Sequence, residues 1–308
     1  MPDLIYMVGV AGAGKSSVAM RYALTRSAII YSSDGIRGEL YGDEGCQKNP
    51  GRVFDILHQR VCKALKDAFN VVYDATNLGC KRRMNFLKSI AHINCRKICV
   101  VVVTTPEDIE ERMKLRDRKV PMEVVHRQMC QFQCPNYYEG WDDIRIVYNS
   151  KPEDCHTSYV KLWRECDIPH DNPHHSLSVM EHMNQAADIA EDLAWKDDDL
   201  SLVHERWVAR IHDIGKARTK SFTDRKGNPS EVAHYIGHQN YGAYYSLIFD
   251  NSDFDIPLKH SLDNSCLIQW HMEHYLRNGS ALDKFYKMIG PKLEKRLRVL
   301  EKADKAAH

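Results

Sequence analysis

Eight residues constrain this chain more than any others. Gly9-Val10-Ala11-Gly12-Ala13-Gly14-Lys15-Ser16 fits the pattern G-x-x-x-x-G-K-S, and it lies between an apolar run, Leu4–Val8, and a helical stretch that begins at Ser16. Strand, glycine turn and helix in that order let backbone N–H groups curl around a chain of phosphates. The helix start adds the positive end of its dipole. Gly9, Gly12 and Gly14 free the backbone for the turn, Lys15 reaches the outer phosphates, and Ser16, followed by Ser17, holds Mg²⁺. The bland alternative is a glycine-rich turn with a chance lysine.

The chain has 308 residues, enough for two domains at roughly 100–200 residues each. Short β-rich runs at Leu4–Val8, Ala28–Ser32, Val71–Tyr73, Ile98–Thr104 and Asp143–Tyr148 alternate with amphipathic stretches at Val53–Ala68, Lys81–Ala91 and Pro106–Arg118. That alternation predicts an α/β domain, a parallel sheet with helices on both faces, over residues 1–150. Residues 151–171 read as a linker with one short helix, Thr157–Glu165. From residue 172 to 308 no period-two alternation is evident. Ser176–Leu193, Ser201–His212, Val232–Ile248, Ser261–Arg277 and Gly290–Lys305 fit helices, so an all-α domain is expected.

Apolar residues at 43 % and charged residues at 28 % suit a globular protein and exclude a disordered one. A net charge of +1 excludes a strongly basic coat protein or an acidic tail. The halves differ, however. Residues 1–150 carry 22 Lys and Arg against 17 Asp and Glu, whereas the remainder carries 21 against 25. Thirteen of the 16 histidines lie after residue 150. The first half suits a polyanion and the second is rich in metal-ligand types. The ten cysteines are scattered, and Cys130 and Cys134 have no matching second pair, so reduced thiols are expected. No charged leader precedes Leu4, and the longest apolar run, Ile98–Val103, is too short for a bilayer. The expectation is a cytoplasmic protein with no membrane partner.

Three further features bear on the phosphate loop. Asp34, in Ser32-Ser33-Asp34-Gly35-Ile36-Arg37, follows the second predicted strand, and strand ends face the ligand crevice of such a sheet. Its carboxylate can take a proton from an attacking hydroxyl, cap the following helix, or do both. Asp74 stands at the next strand end, where it can order water around Mg²⁺, align the acceptor, or simply terminate the strand. Arg112 and Arg116 are four residues apart, so they share a helix face that can close over a triphosphate or be a solvated charged face. Lys81, Arg82 and Arg83 can contact a nucleic-acid backbone or form a solvated helix start.

With GVAGAGKSS, SSDGIRGELYGD, VVYDATNLGCKRR, ERMKLRDRKVP and FQCPNYYEGWD, the run to Trp141 resembles the P-loop kinase family that includes polynucleotide 5′-hydroxyl kinases. The resemblance implies ATP or another NTP with Mg²⁺ as cofactor. It also implies Asp34 as general base, Arg37 as a contact to the acceptor's phosphate, and Arg116, with Arg112, as lid arginines. The family often has Asn after the first lid arginine; here Met113 stands there.

In the second half the strongest signal is His212-Asp213-Ile214-Gly215-Lys216 at the end of an apolar helix. Adjacent His and Asp offer a nitrogen and an oxygen to one cation, and glycine lets the chain turn away. Further pairs are His175 and His182, His234 and His238, and His271 and His274, and Asp304 ends the last helix. A helical bundle with incidental histidines is the alternative. The order of these elements resembles the HD phosphohydrolase superfamily across most of residues 172–304. The resemblance implies one metal on His182, His212, Asp213 and Asp304, with His175 an alternative to His182 or a substrate contact. It implies a second metal or a phosphate contact at His238 and His271, and Lys216 on a phosphate. Such a ligand set suits Mn²⁺, Co²⁺, Ni²⁺ or Zn²⁺ better than Mg²⁺ alone.

The whole arrangement resembles bacterial end-healing enzymes that join a polynucleotide kinase to an HD phosphohydrolase. It implies nucleic-acid ends, RNA before DNA, as substrate, and an RNA ligase as functional partner. Two alternatives stand beside it: a small-molecule or nucleotide kinase fused to a nucleotide phosphohydrolase, and an ATP-sensing switch.

Overall fold

Leu4–Val8 is apolar because both of its faces are covered. It forms most of β1 (Asp3–Val8), the middle strand of a five-stranded sheet in which every pairing is parallel. A strand buried on both faces reads as a continuous apolar run. The computed structural model describes residues 1–115, 119–172, 176–251 and 258–307, and so excludes two of the sequence-predicted site residues, Arg116 and His175. The chain divides into two units: Met1–Gln128 with Pro135–Ser150, and Met129–Cys134 with Lys151–His308.

In the first unit β1 is followed by α1 (Lys15–Arg26), β2 (Ile29–Ser32), α2 (Ser33–Tyr41), α3 (Pro50–Lys66), β3 (Val71–Asp74), α4 (Cys80–Ser89), β4 (Arg96–Val103), α5 (Pro106–Lys114), α6 (Met122–Met129) and β5 (Asp143–Tyr148). The strand order is β2-β3-β1-β4-β5. Because the strands are parallel, all their carboxyl ends lie along one edge, which gathers the glycine turn, Ser32, Asp74 and Thr104 there. Helix starts follow local chemistry. Ser32 caps α2 by accepting from the Gly35 N–H, and Thr105 caps α5 ahead of Pro106. Ser32, not Asp34, is the cap, which leaves the Asp34 carboxylate for other work.

The second unit contains α7 (Pro152–Glu165), α8 (Val179–Trp195), α9 (Leu202–Ile211), α10 (Lys216–Thr219), β6 (Lys220–Thr223), β7 (Pro229–Tyr235), α11 (His238–Asp250), α12 (Leu258–Trp270), α13 (Glu273–Leu276), α14 (Gly279–Ile289) and α15 (Pro291–Ala306). α8 packs against α9 and α15, and α11 against α12. α7 is longer than its apolar spacing predicts, since Pro152 opens it. It packs on α11, with Tyr159 against Phe249 at 4.4 Å between ring centroids. α11 is buried from His238 to Asp250 apart from Gln239 and Asn240. The unit also takes in the segment Met129–Cys134, where Phe132 meets Tyr244 edge-on at 5.3 Å and the Cys134 N–H donates to Gln269 Oε1 at 2.6 Å.

The helix expected over Val232–Ile248 is two elements. Pro229–Tyr235 pairs antiparallel with Lys220–Thr223, and the turn between them is held by Asp224, whose Oδ1 accepts from Lys226 and Asn228. Gly237 then takes a left-handed conformation (φ 83°) in which a Cβ would lie 2.8 Å from the Cys130 carbonyl. Only beyond it does the helix begin. α14 is likewise absent from the sequence reading. Among the described residues, no helix is long and apolar enough to cross a membrane.

Candidate functional site

Each unit carries one site. In the first, the glycine turn closes over the ends of β1, β4 and β5. The Thr104 hydroxyl and the Asn149 amide both donate to the Ala13 carbonyl at 2.8 Å, and the Ala11 N–H donates to Gln128 Oε1 at 2.6 Å. The turn needs glycine: Gly12 has φ 79° and a Cβ there would lie 2.5 Å from Met113 Cε, and Gly14 has φ 88°. Met113, buried, is therefore a packing residue beneath the loop. The Lys15 ammonium donates to the Val10 carbonyl at 2.9 Å.

The Ser16 hydroxyl donates to Asp74 Oδ2 at 2.9 Å. Burial raises the Asp74 carboxyl, against the opposing charge of Lys15 and the Ser16 hydrogen bond. Ser32 lies opposite Asp74 in the β2–β3 register, which carries the start of α2, and with it Asp34, to the same edge. Asp34 is half exposed and its Oδ1 pairs with Arg37 Nη1 at 2.6 Å. Arg112 donates through Nη2 to the Asn149 carbonyl. Its buried Nη1 has no hydrogen-bond partner among the described residues and would stand 3.5 Å from a Cβ on Gly14. An orphaned cationic donor beside a phosphate-cradling turn fits a polyphosphate. Ser16 with Asp74 fits Mg²⁺, and Ser17 lies beside Ser16 in the first turn of α1.

The sequence reading misplaces Arg83. It is wholly buried and pairs with Glu139 through both Nε (2.8 Å) and Nη2 (2.6 Å), so it cannot touch a nucleic-acid backbone. Lys81 and Arg82 are exposed. Thr104, Gln128 and Asn149 went unread. Thr104 closes one β-rich run and Asn149 directly follows another, so the strand-end rule applied to Asp34 and Asp74 reaches both of them.

In the second unit, four residues from two helices and the turn after α9 meet. The Ser178–Glu181 capping box starts α8 and sets His182 on its first turn. His212 caps the end of α9, Asp213 follows it in the turn, and α15 brings Asp304. His182 Nε2, His212 Nε2 and Asp304 Oδ1 are separated by 3.3, 3.1 and 3.2 Å, and Asp213 Oδ2 lies 3.5 Å from the first and 3.4 Å from the second. The other carboxylate oxygen, Asp213 Oδ1, faces His238 Nε2 at 3.3 Å and His271 Nε2 at 3.6 Å, which are 3.3 Å apart. All six residues are buried. Gly215 makes this possible: a Cβ there would lie 2.1 Å from the His238 carbonyl oxygen.

Every one of these histidines turns Nδ1 to a backbone carbonyl: His182 to Ala307 (2.9 Å), His212 to Ala209 (2.7 Å), His238 to Tyr235 (2.7 Å) and His271 to Ile268 (2.6 Å). A carbonyl only accepts, so Nδ1 carries the proton and Nε2 presents a lone pair. Bare lone pairs and carboxylate oxygens do not crowd together unless a cation draws them in. Ligand bonds of about 2.1 Å give polyhedron edges of about 3.0–3.4 Å, close to these separations. Asp213 Oδ1 has no hydrogen-bond partner, as expected of a ligand atom. The residues thus fit two groups of cation ligands, His182, His212, Asp213 and Asp304 in one and Asp213, His238 and His271 in the other.

The electrostatics agree. Burial would lower His212, yet Asp213 and Asp304 push it up to about 10, so its Nε2 takes a proton unless a metal ion takes that place. Burial would raise Asp213, yet Lys216 and His212 hold it well below the usual carboxylate range. The cluster demands positive charge. Lys216 supplies some of it, 2.6 Å from Asp213 Oδ2, and its Nζ also meets His170 Nε2 at 3.2 Å. Burial and then Lys216 bring His170 down to about 4, so it is a neutral acceptor. No motif in the sequence points to His170, which stands in the predicted linker, residues 151–171. Of the other histidines, His234 bonds to Ser230 Oγ at 2.9 Å, away from the cluster.

Residues 4–135 match the family model described as an AAA domain, and residues 174–307 match the model described as an HD domain. The chain thus joins a P-loop kinase-type domain to an HD phosphohydrolase domain. No curated protein matches it. Similar solved structures include a gluconokinase from Sinorhizobium meliloti 1021, at 20 % identity over 53 % of this chain and 93 % of that one with a TM-score of 0.37. Another is the Mycobacterium tuberculosis APS kinase CysC in complex with AMPPNP and APS, at 21 % identity over 52 % and 95 % with a TM-score of 0.35. A chain of the Pnkp1/Rnl/Hen1 RNA repair complex matches at 22 % identity over 42 % of this chain, with a TM-score of 0.36, and only 43 % of that chain is spanned.

Proposed function

We propose that the protein heals broken RNA ends. The first unit transfers the γ-phosphoryl group of ATP to a 5′-hydroxyl, and the second hydrolyses a 2′,3′-cyclic, 2′- or 3′-phosphate. One observation carries the reading: a single chain holds both a phosphate loop with its Ser16–Asp74 pair and a buried histidine–aspartate cluster. A strand cut through its own 2′-hydroxyl leaves both of the ends these two chemistries would repair.

In the kinase step the 5′-oxygen attacks the γ-phosphorus, Asp34 takes the hydroxyl proton, and ADP leaves. Arg37 holds Asp34 in place and meets the acceptor's phosphate. Gly9, Gly12, Gly14, Lys15, Ser17, Arg112 and Arg116 grip the donor phosphates, and Ser16 with Asp74 would hold Mg²⁺, which would supply charge neutralisation there. The net positive charge of residues 1–150 steers a polyanionic acceptor. In the second unit a transition-metal ion on His182, His212, Asp213 and Asp304 would make water nucleophilic near neutral pH and polarise a phosphoryl oxygen. His238 and His271, with His175, take a second ion or the phosphate, and Lys216 contacts the phosphate. The products, a 5′-phosphate and a freed 3′ end, are the substrates of an RNA ligase.

The test is a 5′-hydroxyl RNA carrying a 2′,3′-cyclic phosphate, incubated with ATP and each of Mg²⁺, Mn²⁺, Co²⁺, Ni²⁺ and Zn²⁺, with both ends analysed. Lys15→Ala or Asp34→Ala should lower 5′ phosphorylation at least about a hundredfold and spare phosphate release. Asp213→Ala should do the reverse. If either variant loses both activities while folded, the two sites are not independent and the reading fails.

A further inference from the structure

The metal-ligand cluster has an aromatic residue at its edge that none of the chemistry above uses. His271 follows α12 directly, and α13 carries His274 and Tyr275 just beyond it. His274 is tucked in: its side chain is 6 % exposed, Nδ1 lies 3.6 Å from Glu301 Oε1, and neither ring nitrogen has a hydrogen-bond partner. Glu301 is itself fixed by the Tyr286 hydroxyl, which donates to it at 2.9 Å. The His274 ring backs the Tyr275 ring with 3.8 Å between centroids. Tyr275 faces outward and is 55 % exposed. Lys305, the residue after Asp304, holds its ammonium 5.6 Å from the centre of the Tyr275 ring. His274 and Tyr275 thus lie against the stretch of α15, Glu301 to Lys305, that carries Asp304, and burial of the phenol, then the Asp304 and Asp213 carboxylates, push it up to about 12.

A second tyrosine that feels Asp213 makes the contrast. Tyr235 donates its hydroxyl to the His170 carbonyl, and its ring is covered by the Lys216 ammonium at 5.4 Å. Its partners lie within the fold. Tyr275 also has an ammonium over its ring, that of Lys305, but more than half of its side chain is open to solvent, and the ring is braced by His274. A nucleobase has a matching π-face whatever its identity, and the neighbouring phosphate matches the lysine.

We propose that Tyr275, braced by His274, is a stacking platform for the base of the nucleotide whose terminal phosphate enters the histidine–aspartate cluster, with Lys305 meeting the next phosphate along the strand. The proposal rests on the phosphohydrolase reading above and gives it a specificity element.

Two arms test it. In the first, the metal-loaded protein is given RNA ending in a 3′-phosphate on either adenosine or an abasic nucleotide. The wild type should show a KM about tenfold lower for the base-bearing end. Tyr275→Ala should abolish that preference, and Tyr275→Trp should keep it. In the second, adenosine 3′-monophosphate is titrated against metal-free protein, and Tyr275→Ala should weaken binding about tenfold with circular dichroism unchanged. Equal KM ratios or equal affinities in Tyr275→Ala and wild type overturn the platform and leave the hydrolase intact. If no end releases phosphate from the wild type, the hydrolase reading fails, and the titration still decides the platform.

Discussion

At the scale of single residues, identical side chains do opposite jobs. Arg82 and Arg83 are neighbours, yet one is exposed and the other is sealed against Glu139, with the Asn77 and Leu78 carbonyls accepting its remaining donor. Around this pair Tyr6 stacks on Phe86 at 5.5 Å, and the Trp141 indole donates to Glu139 Oε2 at 2.9 Å. Removing one partner of a buried pair strands the other's charge. Arg83→Met should therefore lower stability by about 3–5 kcal/mol, read from urea midpoints. Arg82→Ala should stay within about 0.5 kcal/mol of wild type. A small effect of Arg83→Met would mean that Glu139 finds another partner.

At the scale of elements, α11 shows how much a helix tolerates when its site depends on it. Its first residue, His238, supplies a cluster nitrogen, and its last, Asp250, is a buried carboxyl at the negative end of the helix dipole. Burial pushes Asp250 up to about 7, against a smaller opposing effect of Ser261. The folded state therefore keeps a proton that the unfolded chain releases near pH 4. Stability from this group is complete below that pH and falls as pH rises toward about 7, above which it is flat. Asp250→Asn should remove that slope. It should raise stability at pH 8 by about 1–3 kcal/mol, below the limit of about 4 kcal/mol set by the shift. Urea unfolding of both proteins at pH 5 and pH 8 checks it: a difference that does not grow with pH would contradict the assignment.

At the scale of the whole molecule, the proposed function puts two cation chemistries in one chain, and they should separate. A cation that binds the folded state alone stabilises it by mass action. Mn²⁺ added to chelator-treated protein should raise the melting midpoint of wild type and Lys15→Ala alike. In Asp213→Ala that rise should vanish, because both ligand groups share this residue. Mg²⁺ alone should restore 5′ phosphorylation after chelation, with phosphate release still absent. An undiminished shift in Asp213→Ala would mean that the ion binds elsewhere.

The sequence by itself determined the parallel sheet, the glycine turn and the order of the residues that form the histidine–aspartate cluster. These are legible because strand burial, turn geometry and helix spacing are local, and each leaves a short-range pattern. β5 is found at Asp143–Tyr148, as its run predicts. Tertiary structure alone decided what local pattern cannot carry. It split Val232–Ile248 at Gly237, because a distant carbonyl, Cys130, occupies the space a side chain would need. It buried Arg83 rather than exposing it, because Glu139 approaches from 56 residues away. It brought His170 beside Lys216, and it set Tyr275 outward on a buried His274. Each of these depends on which surfaces meet, and the energy of a meeting belongs to both partners, so neither segment encodes it alone.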